Sequence, residues 1–162
     1  GSFVMALSRV EYSGPRSTHC INIRMQIPEI LENTHLWFVV GLGKNPDRAA
    51  FGVARFLQDH GKLMVPIYPR AEIVLGVQGF AAIADATHVW GPPDVVDLFV
   101  NSSRAGEFSD HGIDAGAKVV WMQLGVVDKG AAQRARAAGL TVVMDRCPVI
   151  EWPEVYGEMN PA

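Results

Sequence analysis

One pattern constrains this chain more than any other: a helix-like stretch, then a glycine, then a short apolar run. It occurs three times, at Asp59-His60-Gly61-Lys62, Asp114-Ala115-Gly116-Ala117 and Ala137-Ala138-Gly139-Leu140. A glycine just past a helix takes the left-handed conformation that ends the helix and turns the chain, without the steric cost a Cβ would bring. Three such returns with short loops predict βαβ units. Crossovers between parallel strands are right-handed, so the expected fold class is α/β: a doubly wound, mostly parallel sheet with helices on both faces, three layers α/β/α.

The apolar runs of the chain support this. Leu36-Trp37-Phe38-Val39-Val40 is apolar without alternation, as a parallel strand buried on both faces must be. Further strands are expected at Leu63 to Ile67, with Pro66 near its end, at Asp94 to Phe99, at Val119 to Met122 and at Thr141 to Met144. Helices are expected over 49–60, over 103–115, and from an N-cap at Asp128 to Ala138. The stretch 71–93 is irregular: Glu72 to Gly76 and Phe80 to Ala86 read as short helices, and Gly91-Pro92-Pro93 as a loop. Residues 1–33 read as an N-terminal arm packing on the body. It has a breaker cluster at Ser13-Gly14-Pro15-Arg16, a short helix starting at Pro28, and Gly1 to Val4 as an expression scar before Met5. The domain proper is expected over 34–155, with a tail over 156–162.

Composition excludes several classes. The chain has 162 residues, 49% apolar and 19% charged, which suits one domain with a real core and not a disordered linker. A net charge of −3 without a Lys/Arg run argues against nucleic-acid binding. No apolar stretch reaches the roughly 18 residues of a membrane span, and no secretory signal pattern opens the chain. Cys20 and Cys147 lie far apart, so a reduced, cytoplasmic protein is expected.

In a doubly wound sheet, ligands bind outside the carboxyl ends of the strands. Those ends hold the candidate cofactor-binding residues: Gly41, Gly43, Lys44, Asn45, Pro46 and Arg48 after the first strand; Tyr68, Pro69 and Arg70 after the second; Phe99 and Asn101 after the third; and Gln123 after the fourth. The first group follows a strand and precedes a helix, where glycines let the backbone approach a pyrophosphate. Pro46 replaces the third glycine of G-x-G-x-x-G; it has no N–H and delays the helix start. After the second strand, Ile67-Tyr68-Pro69-Arg70 lacks the carboxylate that usually holds the ribose of NAD. Arg70 suits instead a ribose bearing a phosphate, as in NADP or coenzyme A.

The strings Gly41-Leu42-Gly43, Asn45-Pro46-Asp47-Arg48, Val53-Ala54-Arg55-Phe56-Leu57 and Val65-Pro66-Ile67-Tyr68-Pro69 cover the first half. With Val119-Val120-Trp121-Met122-Gln123-Leu124-Gly125-Val126 and Val143-Met144-Asp145-Arg146-Cys147-Pro148, they resemble the stand-alone CoA-binding domain proteins. That family is similar to the N-terminal CoA-binding domain of the succinyl-CoA synthetase α subunit, and the resemblance spans about 34–155. It implies a Rossmann-like domain holding coenzyme A. The pyrophosphate would lie against Gly43, Lys44 and Asn45, the adenosine near Tyr68, Pro69 and Arg70, and the pantetheine past Phe99. Two departures stand out: Gly43 replaces the family's usual Ser or Thr, and Val100-Asn101 replaces a frequent arginine pair.

Catalytic signals are weak. His19, His35, His60, His88 and His111 form no H-E-x-x-H-like cluster, and neither G-x-S-x-G nor a P-loop is present. Cys147, beside Arg146, is the one reactive-group candidate: a thiol that a nearby cation would favour as thiolate, or else a small buried hydrophobe. Neither the phosphohistidine domain nor the nucleotide-grasping subunit of CoA ligases is expected in these 162 residues. The chain is therefore expected to bind coenzyme A or an acyl-CoA without catalysis of its own, carrying, sensing or presenting it. An NADP-linked oxidoreductase and a nucleotide-responsive regulatory protein are the alternatives. A protein partner and homo-oligomerisation stay open.

Overall fold

A computed structural model describes residues 18–152, and the side chains of 26–152. The Ser13–Arg16 breaker cluster, the expected scar and the 156–162 tail lie outside them. The elements are α1 (Thr18–Asn33), β1 (Leu36–Val40), α2 (Ala49–Asp59), β2 (Leu63–Ile67), β3 (Ile73–Val74), β4 (Val77–Gln78), α3 (Ile83–Trp90), β5 (Val95–Leu98), α4 (Ser102–Asp114), β6 (Val119–Met122), α5 (Lys129–Ala137) and β7 (Thr141–Met144), with further helical residues at 148–152.

Five parallel strands form one sheet in the order β2-β1-β5-β6-β7. The alternation of each strand sorts its side chains between two cores. Trp37, Val39, Val95, Val119, Trp121 and Val143 face one side, where Ile27, Ile30 and Leu31 of α1 and Val53, Ala54 and Leu57 of α2 cover them. Phe38, Val40, Val96, Leu98, Val120, Met122 and Val142 face the other, under Ile83 and Ala86 of α3, Ala105 of α4 and Ala131, Ala132 and Ala135 of α5. Helices on both faces explain why the strands read as unbroken apolar runs. The three-layer, Rossmann-like expectation holds.

The punctuation also holds. Gly61, Gly116 and Gly139 have φ of 85°, 83° and 93°, and Asp128 caps α5 by accepting from Ala131 N at 2.9 Å. Pro66 sits in β2, an edge strand, where its missing N–H costs no ladder bond. Its carbonyl accepts from Phe80 N and the Phe80 carbonyl from Tyr68 N, both at 2.9 Å, so the following segment shields that edge.

Three expectations need correction. The segment Glu72 to Gly76 is no helix: β3 and β4 pair antiparallel, Val74 opposite Val77. Leu75 and Gly76, with φ of 50° and 80°, make a two-residue turn that a right-handed helix cannot contain. The next helix starts at Ile83 and not Phe80, because Phe80 is held in its bridge to β2. Finally, Pro28 lies inside α1 instead of starting a helix; burial of Ile27, Ile30 and Leu31 offsets the lost helical bond.

Candidate functional site

The sheet order reverses direction at β1: β2 lies on one side of it and β5 on the other. Such a switch point opens a crevice at the carboxyl ends of the two central strands. Gly41 leaves β1 with φ 95°, its N–H bonded to the Ile67 carbonyl at 2.8 Å. A turn follows, in which the Asn45 side chain accepts from Asp47 N at 2.9 Å and the Asn45 carbonyl accepts from Arg48 N at 3.2 Å. Helix α2 therefore begins at Ala49, after Pro46, and its N-cap Arg48 makes no side-chain capping bond. The first-turn amides of α2 are left free of a side-chain cap beside the crevice, as suits an anion.

Between this turn and the end of β2 lies a cavity of about 180 Å³, lined by Gly41, Gly43, Lys44, Asn45, Arg48, Tyr68, Arg70 and Glu72. Full pockets for small ligands run to about 300–1,000 Å³, so this cavity suits one portion of a nucleotide. Seven of its lining residues are among those expected from the sequence. Tyr68 packs over Gly43: a Cβ there would lie 3.3 Å from the ring's Cε2. The absence of a Cβ at Gly43 thus makes room for this ring. Three cations, Lys44, Arg48 and Arg70, face one carboxylate, Glu72, whose Oε2 is 4.0 Å from Lys44 Nζ.

The other expected residues sit elsewhere. Pro46 and Pro69 are exposed nearby without lining the cavity. Phe99 approaches Gly41 through its backbone: a Cβ on Gly41 would lie 2.2 Å from the Phe99 carbonyl oxygen. Asn101 is the N-cap of α4, its side chain accepting from Ser103 N at 2.9 Å and Ser103 Oγ at 2.8 Å. Gln123 is only 3% exposed and donates to Asp97 Oδ1. Cys147 is a half-buried free thiol packed against the α1–α2 core.

The helix expected over Glu72 to Gly76 hides Glu72 as a site residue; its one signal in the sequence is a carboxylate two residues past Arg70. Asp97 reads from the sequence as a solvated or capping carboxylate, and the structure corrects this, since β5 is buried on both faces. It is fully buried between Val39 and Trp121 of the neighbouring strands. Burial pushes its pKa up to about 8, although the Gln123 hydrogen bond pulls the other way. Its Oδ2 has no hydrogen-bond partner among the described residues. Asp94 shows the opposite balance. Burial raises its pKa, but hydrogen bonds from the N–H groups of Leu36 and His35 and the charge of Lys118 outweigh burial and hold it below the ordinary carboxylate value. This carboxylate ties the start of β1 to the start of β5, accepting from His35 N at 2.7 Å and Leu36 N at 3.0 Å. Among the described residues no group of His, Cys, Asp and Glu is placed to hold a metal, and no helix is long and apolar enough to cross a membrane.

Residues 35–153 match the CoA-binding domain family. The chain belongs to that family. It is 33% identical over 124 residues to the uncharacterized protein YneT of Bacillus subtilis (strain 168), covering 76% of this chain and 90% of that protein. A hypothetical protein from Pyrococcus horikoshii OT3 superposes with a TM-score of 0.77 at 34% identity, over 83% of this chain and 92% of that one. A dinucleotide-forming acetyl-coenzyme A synthetase from Ca. Korarchaeum cryptofilum is similar in fold. Its TM-score is 0.57 at 21% identity, over 67% of this chain and 25% of the synthetase.

Proposed function

We propose that this CoA-binding-family protein is a binding module for coenzyme A or an acyl-CoA, one that carries, senses or presents the thioester without chemistry of its own. The observation that carries this reading is the cationic cavity at the switch point. There the glycine turn, the uncapped first turn of α2 and Lys44, Arg48 and Arg70 converge. Backbone amides and a helix N-terminus suit a diphosphate, and a guanidinium suits a ribose phosphate. Exposed Leu124 and Val127, beyond the end of β6, offer apolar surface for the pantetheine arm.

Comparative thermal unfolding with coenzyme A, dephospho-coenzyme A, NADP and NAD tests the reading. Binding to the folded state alone stabilises by RT ln(1 + [L]/Kd), about 2.7 kcal/mol at a hundredfold excess over Kd. Coenzyme A is expected to stabilise most. Stabilisation by NADP but not coenzyme A would replace the proposal with an NADP-linked enzyme. No shift with any of the four would favour a regulatory protein.

A further inference from the structure

Glu72 does not belong in a site built only for a polyanion. It lies in the cavity with Lys44, Arg48 and Arg70, and a carboxylate there repels phosphate. A carboxylate can only accept hydrogen bonds, so beside Lys44, whose Nζ is 4.0 Å from its Oε2, any counterpart that a ligand offers Glu72 must be a donor. Its placement is built rather than incidental. Ala71, between Arg70 and Glu72, is held at φ 49°, with its N–H bonded to the Tyr68 carbonyl at 2.9 Å. The Gln78 side chain donates to the Ala71 carbonyl at 2.9 Å, and Gly79 N donates to the Glu72 carbonyl at 2.9 Å. This left-handed step lets Arg70 and Glu72 line the same cavity. A cation and an anion lining one small cavity match two adjacent ligand oxygens of opposite character, one phosphorylated and one a free hydroxyl.

We infer that Arg70 and Glu72 together read the vicinal oxygens of the adenosine ribose, phosphate against Arg70 and hydroxyl against Glu72. This rests on the coenzyme A reading, because that cofactor carries phosphate on the ribose 3′ oxygen and a hydroxyl at 2′. NADP carries its phosphate at 2′ and would set it against the Glu72 carboxylate. Glu72 is thus a specificity-determining residue that admits 3′-phosphorylated adenine nucleotides and rejects 2′-phosphorylated ones.

Titration calorimetry with adenosine 3′,5′-bisphosphate, its 2′,5′ isomer and 2′-deoxyadenosine 3′,5′-bisphosphate tests this, with coenzyme A as reference. The first two carry the same charges, so only position distinguishes them. The native protein is expected to bind the 3′,5′ compound about tenfold more tightly than either of the others. In Glu72→Ala the three should converge to within about twofold, and in Glu72→Gln the preference over the 2′,5′ isomer should fall at least as far. If the native protein shows no preference, or both variants keep it, the assignment of Glu72 is overturned even though coenzyme A binds. If coenzyme A itself fails to bind, the underlying reading falls too.

Discussion

Gly41 and Phe99 approach so closely at the switch point that a Cβ on Gly41 would stand 2.2 Å from the Phe99 carbonyl oxygen. The obstacle is backbone, so no rotamer change relieves it, and Gly41 also has φ 95°. Gly41→Ala must bear both the left-handed cost, about 1–2 kcal/mol, and a displaced strand end. Gly125, with φ 87° and no atom within 4 Å of an added Cβ, isolates the conformational part. Urea unfolding is expected to show Gly125→Ala losing about 1 kcal/mol and Gly41→Ala at least twice that. Equal losses would mean that the β1–β5 junction yields freely.

Asp97 makes stability depend on pH in a defined direction. Its folded pKa, about 8, lies above the unfolded value of about 3.9. Between those values the unfolded chain releases a proton that the folded chain keeps, so raising the pH favours unfolding. Asp97→Asn cannot titrate. Measured from pH 5 to pH 7, the variant's stability relative to the native protein should improve by about 1.4 kcal/mol per pH unit, levelling off above pH 8. A difference that stays flat with pH would show that Asp97 is ionised in the fold.

These residues also mark what the sequence could and could not disclose. Val39 and Trp37 read correctly because both faces of β1 are buried, and Gly61, Gly116 and Gly139 because a left-handed helix exit almost demands glycine. The β3–β4 hairpin did not: strands of two residues carry no periodicity, and Leu75 at φ 50° hides half of its turn behind an ordinary side chain. That misreading also concealed Glu72. Gln123 stands at a strand end, and its amide donates to Asp97, a pairing that only the β5–β6 register reveals. Asn101 stood at a strand end too, and its side chain is occupied in capping α4.

Tyr68 and Gly43 form a coupled pair. An added Cβ at 3.3 Å from Cε2 is tighter than ordinary contact, and the ring must give way. Gly43→Ala should therefore cost more in the native background than in Tyr68→Ala, with a coupling of about 0.5–1.5 kcal/mol in a double-mutant cycle. Additivity within about 0.3–0.5 kcal/mol would show that the ring moves aside without resistance. The same cycle read in coenzyme A affinity tells whether the ring or the bare backbone of Gly43 contributes more to the site.

Arg70 follows β2 and lines the cavity together with the glycine turn. The proposed geometry gives it the ribose phosphate, while the diphosphate falls to Lys44, Arg48 and the turn. Dephospho-coenzyme A keeps the diphosphate and lacks only the ribose phosphate, so it isolates this contact. Arg70 is exposed, and water screens part of its charge, so the effect belongs at the low end of charge-assisted hydrogen bonds. Arg70→Ala is expected to weaken coenzyme A about tenfold and dephospho-coenzyme A no more than about twofold, by calorimetry at low salt. The tenfold loss should shrink as ionic strength rises and the screening length falls toward and below the roughly 8 Å of physiological salt. If both ligands weaken equally, Arg70 acts on the diphosphate or on the general field of the cavity, and the ribose phosphate must be held elsewhere.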